Sequence, residues 1–203
     1  MINLRHSRHG NRNKNKIALT FDDGPNPHAT YQILDILESA NIRATFFVIG
    51  KRCTEYTDLV KEIAQRGHLV GNHSYSHARG DFEMCNDVIL NILNTSTDYV
   101  RPPFYDLAFC EKEYKFLKDK FIVTGDVDSK DYLLITKDEV IKNVVTHVTN
   151  GSIIDLHDGS EIDDDLKERA QKTTEALPEI IKILKAQFDL VRIDEMDLGE
   201  GLW

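Results

Sequence analysis

The chain has 203 residues, of which 41% are hydrophobic and 29% are charged, and it carries a formal net charge of −9. A chain of this length can bury roughly 70% of the surface that its unfolded form exposes, so one substantial domain core is expected. The acidic balance argues against a nucleic-acid-binding protein, because the phosphate backbone requires a basic surface. No apolar stretch is long enough to predict a membrane span.

The first sixteen residues differ from the rest in charge. Residues 1–16 contain five cations and no acidic side chain, and we expect a disordered basic arm followed by one domain over 17–203. The arm lacks the apolar segment of a secretory signal. The protein is therefore expected in the cytoplasm, or in the cell envelope or medium if a leader has been removed. The three cysteines have no metal-binding or redox spacing and do not indicate a compartment.

Seven short apolar or β-branched runs are predicted to be strands, with amphipathic stretches between them. The predicted strands are Ile17–Phe21, Ala44–Val48, Leu69–Gly71, Tyr99–Arg101, Phe121–Thr124, Ser152–Leu156 and Leu190–Ile193. Alternation of strands with helices favours parallel pairing, in either a (β/α) barrel or an open doubly wound sheet.

Helix signals lie between these strands. Apolar residues over Tyr56–Ala64 follow helical spacing, and Thr136–Glu139 has the pattern of a capping box. Pro27 marks the start of an earlier helix, and Pro178 is predicted in the first turn of the last helix. The acidic run at 161–165 is expected to be a solvated loop.

Polar residues follow the predicted strands where each strand ends. A closed barrel brings the carboxyl ends of all its strands to one mouth, whereas an open sheet gathers only the residues near its switch point. The barrel therefore accounts better for the whole set, and we predict a (β/α) barrel. The residues in question are Asp22, Asp23, His73, His77, Arg101, Asp126, Asp128 and His157.

One acid and two histidines of this set match an open metal site. A carboxylate with two imidazoles gives a metal ion three ligands and leaves a position for water, and a neighbouring carboxylate can then act as a base. Alone, Asp22–Pro25 is a good turn sequence, and His73 and His77, expected one turn apart on a helix, could be surface residues. Together they favour a metal-dependent hydrolase.

Five ordered segments resemble the motifs of the polysaccharide deacetylases, carbohydrate esterase family 4. The similarity extends from Ile17 to Met196, and the segments are Thr20–Pro25, His73–His77, Arg101–Phe104, Asp128–Tyr132 and Leu156–His157. The resemblance implies a single domain folded as a distorted (β/α) barrel of seven or eight strands. It also implies one divalent metal ion, usually zinc, although cobalt and nickel accept the same donors.

The resemblance also implies catalytic roles. Asp22 would be the general base, oriented by Arg101, and His157 would be the general acid. An acidic residue of the fourth motif would brace the acid. Asp128 is the predicted brace, with Asp131 as the alternative. The implied metal ligands are Asp23, His73 and His77.

Four further residues are expected to contact substrate. The backbone N–H of Phe104 would hold the oxyanion of the tetrahedral intermediate, and Tyr105, Tyr132 and Leu156 would line the substrate site. Two of these depart from the family pattern. Tyr105 stands where glycine is common, which freely adopts positive φ, and Tyr132 stands where tryptophan is common but still offers a ring to a sugar face.

The leading hypothesis is hydrolysis of N-acetyl groups on glycans that contain N-acetylglucosamine, such as chitooligosaccharides or peptidoglycan. O-deacetylation of acetylxylan is the alternative enzymatic hypothesis, because the same metal, base and acid would serve an ester. A glycan-binding module without activity is the alternative from another class. The expected partner is an acetylated oligo- or polysaccharide, and the sequence leaves the oligomeric state open.

Overall fold

The computed structural model describes residues 4–133, 135–160, 166–198 and 201–202. Within these residues, no helix combines the length and the apolar composition that crossing a bilayer requires. The acidic run at 161–165, expected to be a loop, lies outside the described residues.

Strands and helices alternate along most of the chain. The strands are β1 (Arg5–Ser7), β2 (Lys16–Asp22), β3 (Thr45–Val48), β4 (Leu69–Asn72), β5 (Tyr99–Val100), β6 (Phe121–Val123), β7 (Val127–Asp128), β8 (Ile153–His157), β9 (Asp189–Leu190) and β10 (Gly201–Leu202). The helices are α1 (Thr30–Ser39), α2 (Gly50–Glu55), α3 (Thr57–Gln65), α4 (Phe82–Leu93), α5 (Tyr114–Leu117), α6 (Lys137–Val145) and α7 (Leu166–Lys185). Short 3-10 turns occupy Pro103–Tyr105, Leu107–Phe109, Glu111–Glu113 and Ile193–Glu195.

Eight parallel strands form one curled sheet. Their order is β1-β6-β5-β4-β3-β2-β8-β7, with β10 antiparallel to β1 at one end and β9 parallel to β2. Six of the seven predicted strands are present, and the predicted strand Leu190–Ile193 overlaps β9 only at Leu190. The predicted distorted (β/α) barrel in a single domain is confirmed. Because the eight strands run parallel, their carboxyl ends meet on one side of the barrel.

Alternate side chains of β2 pack on opposite faces of the sheet, one facing the helices and the other facing the barrel interior. Ile17, Leu19 and Phe21 point outward and pack with the buried faces of α1 and α7. Ala18 points inward and packs with Phe47 and other residues of the barrel interior. This period of two leaves the remaining inward positions near the mouth for polar side chains.

The amino-terminal arm is ordered over its described residues, and Arg5–Ser7 form a strand of the sheet. β1 pairs with β6, placing Arg5 beside Phe121 with its guanidinium 3.7 Å from the ring centroid. His6 and Ser7 are buried. The predicted disordered arm is therefore wrong for residues 4–16, and the domain boundary expected at Ile17 falls inside β2. A three-residue strand among cations has too little apolar periodicity to stand out in the sequence.

Two helix predictions are confirmed and one is wrong. α3 matches the predicted apolar spacing, and Thr136 and Glu139 form both hydrogen bonds of the capping box at the start of α6. Pro178 lies inside α7, not in its first turn. A proline there removes one helical hydrogen bond, and the burial of Leu177 and Ile180 against the sheet offsets that loss.

Candidate metal and catalytic site

The inward faces of β2 and β8 carry four polar side chains near the mouth. Asp22 is paired in register with His157, and Thr20 with Asp155. Residues two apart share a face of a strand, so the four side chains project into the barrel together. Strand pairing alone therefore places a predicted base beside a predicted acid.

Asp23, His73 and His77 converge at the same mouth. The Oδ1 atom of Asp23 lies 3.4 Å from Nε2 of each histidine. This oxygen is buried and makes no hydrogen bond with the described residues. A carboxylate oxygen without a hydrogen bond, facing two imidazole nitrogens, is the donor set that a divalent transition metal takes. The three residues predicted to bind metal thus fit the ion.

The two histidines are presented by a loop, which corrects the expectation of a helix. His73 directly follows β4, and Ser74 and His77 have positive φ angles of 68° and 59°. The Nδ1 atom of His73 lies 2.8 Å from the carbonyl oxygen of Arg101. A bond from Nδ1–H to a carbonyl fixes the tautomer and leaves Nε2 as the ligand atom.

Asp23 and His73 shift each other's pKa in opposite directions. Burial raises the pKa of Asp23, but the close approach and charge of His73, together with the charges of His157 and His77, hold that pKa well below its ordinary value. Burial lowers the pKa of His73, but the nearby Asp22 and Asp23 carboxylates outweigh burial, so the pKa of His73 is raised overall. Asp23 is therefore an anionic ligand at neutral pH, as a cation site requires.

Arg101 is fully buried and fixes Asp22. Its Nη1 donates to Oδ1 of Asp22 at 2.7 Å and to Oγ1 of Thr20 at 2.7 Å. The guanidinium also stacks over Phe47, with 4.1 Å between Cζ and the ring centroid. Because Arg101 engages Oδ1 of Asp22, the other carboxylate oxygen remains available to accept a proton.

Asp131, not Asp128, braces His157. The Oδ1 atom of Asp131 lies 2.7 Å from Nδ1 of His157, and its Oδ2 accepts from the backbone N–H of His157 at 2.8 Å and from Thr173. Asp128 instead accepts from the N–H of Lys130 and the hydroxyl of Tyr132. The prediction of Asp128 is wrong, because Lys130 adopts a positive φ of 56° and the turn carries Asp131 inward.

An open cavity of about 520 Å³ joins these groups. Its inner lining includes Asp22 and His157, and its rim includes Phe104 and Tyr132, whose residues are 69% and 38% exposed. The ring of Phe104 packs edge-on against His77 at 4.7 Å between centroids, and that of Tyr132 against His157 at 5.4 Å. Each aromatic rim residue therefore stands beside a group of the metal and catalytic set.

Comparison with known proteins agrees with this geometry. The polysaccharide deacetylase family model matches residues 9–108. A peptidoglycan-N-acetylglucosamine deacetylase of Bacillus cereus is 34% identical over 88% of this chain and 66% of its own length. A chitooligosaccharide deacetylase of Rhizobium leguminosarum is 33% identical over 73% of this chain and 74% of its own length. The chain belongs to the polysaccharide deacetylase family.

Solved structures show the same similarity. The Bc1960 peptidoglycan N-acetylglucosamine deacetylase superposes with a TM-score of 0.84 at 29% identity, covering 95% of this chain and 92% of that one. A family 4 acetyl xylan esterase of Clostridium thermocellum, solved with a cobalt ion, gives 0.75 at 28% identity over 89% of each chain. The chain spans between about two fifths and two thirds of the length of the first curated relatives it matches.

The predictions of substrate-contacting residues are only partly met. Leu156 is fully buried and packs in the outer core with the helices, so its predicted contact with substrate is wrong. Phe104, Tyr105 and Tyr132 do line the cavity. Tyr105 adopts a positive φ of 57°, so its backbone takes the conformation that glycine favours despite its side chain.

Two further residues that contact the candidate site were not predicted from the sequence. Thr20 donates to the carbonyl of Ile154 at 2.7 Å and accepts from Arg101. Asp155 lies 3.2 Å from Arg101 and lines the cavity, although no role was predicted for it. Its position two residues before His157 was the available indication, because alternate strand residues share a face.

Proposed function

We propose that this deacetylase-family chain hydrolyses N-acetyl groups on glycans that contain N-acetylglucosamine, peptidoglycan or chitooligosaccharides, and releases acetate. One observation carries the proposal. The Asp23, His73 and His77 donor set, Asp22 and His157 all line one open cavity. The relatives named as peptidoglycan and chitooligosaccharide deacetylases support the substrate class.

A zinc ion is the proposed cofactor, held by Asp23, His73 and His77, with cobalt as a substitute. When bound, such an ion supplies Lewis acidity and lowers the pKa of a coordinated water toward neutrality. The chain supplies the proton transfers and the orientation of the substrate.

Asp22 is the proposed general base. Its Oδ1 is held by Arg101 at 2.7 Å and its Oδ2 lies 3.8 Å from Nε2 of His73, at the edge of the donor set. A base must be fixed within reach of the proton it removes. Arg101 holds the Asp22 side chain in one rotamer, so Asp22 can accept the proton of the attacking water without first changing its conformation.

His157 is the proposed general acid. Burial lowers its pKa, but the charges of Asp131 and Asp155 and the hydrogen bond to Asp131 raise it well above the ordinary value. With Nδ1 bonded to Asp131, Nε2–H is the donor for the leaving amine. The imidazolium is therefore present at neutral pH, which an amine leaving group requires.

Phe104 is the proposed oxyanion donor. The neighbouring N–H of Tyr105 is already bonded to the carbonyl of Pro102 at 3.1 Å. The N–H of Phe104 is thus the assigned donor to the developing oxyanion. The exposed rings of Phe104 and Tyr132 offer apolar faces to sugar rings at the rim.

Acetate release tests the proposal. Zinc-loaded protein is incubated with N-acetylchitooligosaccharides, peptidoglycan fragments and acetylxylan, alongside Asp22→Asn. Release from an amide substrate that Asp22→Asn abolishes, with zinc still bound at one ion per chain, supports the proposal. Release from acetylxylan alone would reassign the protein as an esterase. Metal-loaded protein that binds glycan but releases no acetate would make it a binding module.

A further inference from the structure

Asp155 is a buried acid that the proton transfers above do not use. Its residue is 7% exposed, and its Oδ1 lies 3.2 Å from Nη1 of Arg101, the same nitrogen that holds Asp22. One carboxylate oxygen of Asp155, one of Asp22 and one ring nitrogen of His157 all lie within 4.8 Å of one another. Asp155 therefore borders the position between the base and the acid.

Tyr105 adds a second unused polar group at the same inner wall. Its hydroxyl is buried near Asp155, and no group of the described residues forms a hydrogen bond with it. Gly125 gives the hydroxyl its space, because a Cβ on Gly125 would stand only 2.7 Å from the oxygen. A buried hydroxyl without a partner costs free energy, so a ligand that pairs with it gains affinity.

Burial decides which part of a substrate reaches this wall. The rim residues Phe104 and Tyr132 are exposed, whereas Arg101, Asp155 and the Tyr105 hydroxyl are buried behind the base and the acid. The proposed reaction requires the acyl carbon to lie between Asp22 and His157, so the acyl substituent is the part of the substrate nearest this wall. An unsubstituted methyl group would face a carboxyl group and an unpaired hydroxyl, which is a poor environment for it.

We propose that Asp155 and Tyr105 form an acyl subsite that selects an acyl group bearing a hydroxyl, such as N-glycolyl, over N-acetyl. The inference rests on the proposed deacylation at this site and specifies its substrate. Water adds to the amide carbon with its proton going to Asp22, and the C–N bond breaks with a proton from His157. Glycolate and the free amine are the products, and no redox partner is needed.

The ionisation of the two groups suits a hydroxyl ligand. Burial and the charge of Asp22 raise the pKa of Asp155 above its ordinary value, so its neutral form is more accessible than that of an exposed carboxyl group. The neutral form donates to a hydroxyl and the ionised form accepts from it. Burial raises the pKa of Tyr105 well above its ordinary value, so it remains a neutral phenol.

The test compares kcat/KM for release of glycolate and acetate from N-glycolyl and N-acetyl glucosamine oligomers of equal length. Sites that bond a substrate hydroxyl discriminate strongly against the analogue without it, so we expect a preference of at least about tenfold for glycolyl. Tyr105→Phe, which removes only the hydroxyl, should reduce that ratio by about tenfold. Tyr31→Phe, on the exposed side of α1, is the matched control and should leave it unchanged.

Binding gives a readout that does not require turnover. Asp22→Asn protein is titrated with both oligomers by calorimetry, and the glycolyl oligomer should bind more tightly. Equal or better release of acetate, with no change of ratio in Tyr105→Phe, overturns the subsite and leaves the proposed function intact. If neither acid is released, the proposed function fails, and calorimetry alone decides the subsite: equal affinities overturn it, and tighter glycolyl binding supports it.

Discussion

Asp22 on β2 and His157 on β8 are paired in register across two parallel strands. Each forms an ion pair with a buried residue of opposite charge. Asp22 pairs with Arg101, and His157 pairs with Asp131. Groups placed on paired strands are held more precisely than groups on loops. The separation of base and acid is therefore a property of the sheet.

Asp131 should matter for catalysis far more than Asp128. Asp131→Asn removes the charge that holds His157, and we expect kcat/KM to fall by about 10²-fold or more. Asp128→Asn disturbs only contacts with Lys130 and Tyr132 at the exposed rim, so its activity should stay near that of the unsubstituted protein. Steady-state acetate release measures both, and equal losses would contradict the assigned brace.

The raised pKa of His157 predicts the form of the pH profile. The protonated acid is the active form, so kcat should persist through neutral pH and decline as pH rises through the elevated pKa. Asp131→Asn should move that alkaline limb to lower pH. The same shift contributes stability that is complete below the unfolded-state pKa of about 6.5 and is lost as pH rises through the folded value. Urea unfolding of His157→Gln should accordingly depend less on pH above neutrality.

Arg101→Met should be strongly destabilising. The substitution leaves Asp22 and Asp155 buried without their cation, and breaking a buried pair in this way costs about 3–5 kcal/mol. Arg79→Met is the control, because Arg79 and its partner Asp106 are half exposed and such pairs contribute at most about 1 kcal/mol. Urea midpoints compare them, and similar free energies of unfolding would contradict the structural role of Arg101.

His77→Ala should remove metal binding. The loss of one of three protein ligands is expected to weaken zinc affinity by at least about 100-fold. Substituting a residue that only hydrogen-bonds to a metal ligand already weakens affinity by up to about 100-fold. His147→Ala is the matched control, since His147 is exposed and its ring forms hydrogen bonds with Thr146 and the carbonyl of Asn143. Competition with a chromogenic chelator gives both affinities. Unchanged zinc affinity in His77→Ala would require a different donor set.

The sequence predicted those parts of the site that depend on strand ends. Because parallel strands share one mouth, Asp23 and His73 could be placed together from motif order alone. The choice of Asp131 over Asp128 depends on the conformation of the turn between them, in which Lys130 has positive φ. The pattern of apolar residues in the sequence does not predict that conformation. Leu156 was predicted on the substrate face of β8 and no role was predicted for Asp155, although counting back two residues from His157 places Asp155, not Leu156, on that face.

Short elements and tertiary overrides account for the remaining differences. β1 is three residues long and lies among cations, so its burial depends on pairing with β6 and leaves no local pattern. Pro178 is a helix breaker by propensity, yet the apolar side chains of α7 keep the helix packed on both sides of it.

The contacts of Arg101 with several strands make the orientation of Asp22 depend on assembly of the barrel. Its guanidinium donates to Asp22 on β2, to Asp155 on β8 and to the carbonyl oxygen of Val123 on β6, while its backbone follows β5. A chain in which any of these strands is still unpaired has no oriented base. The proposed hydrolytic activity therefore requires the complete sheet, and its recovery during refolding should coincide with the last cooperative step of sheet formation.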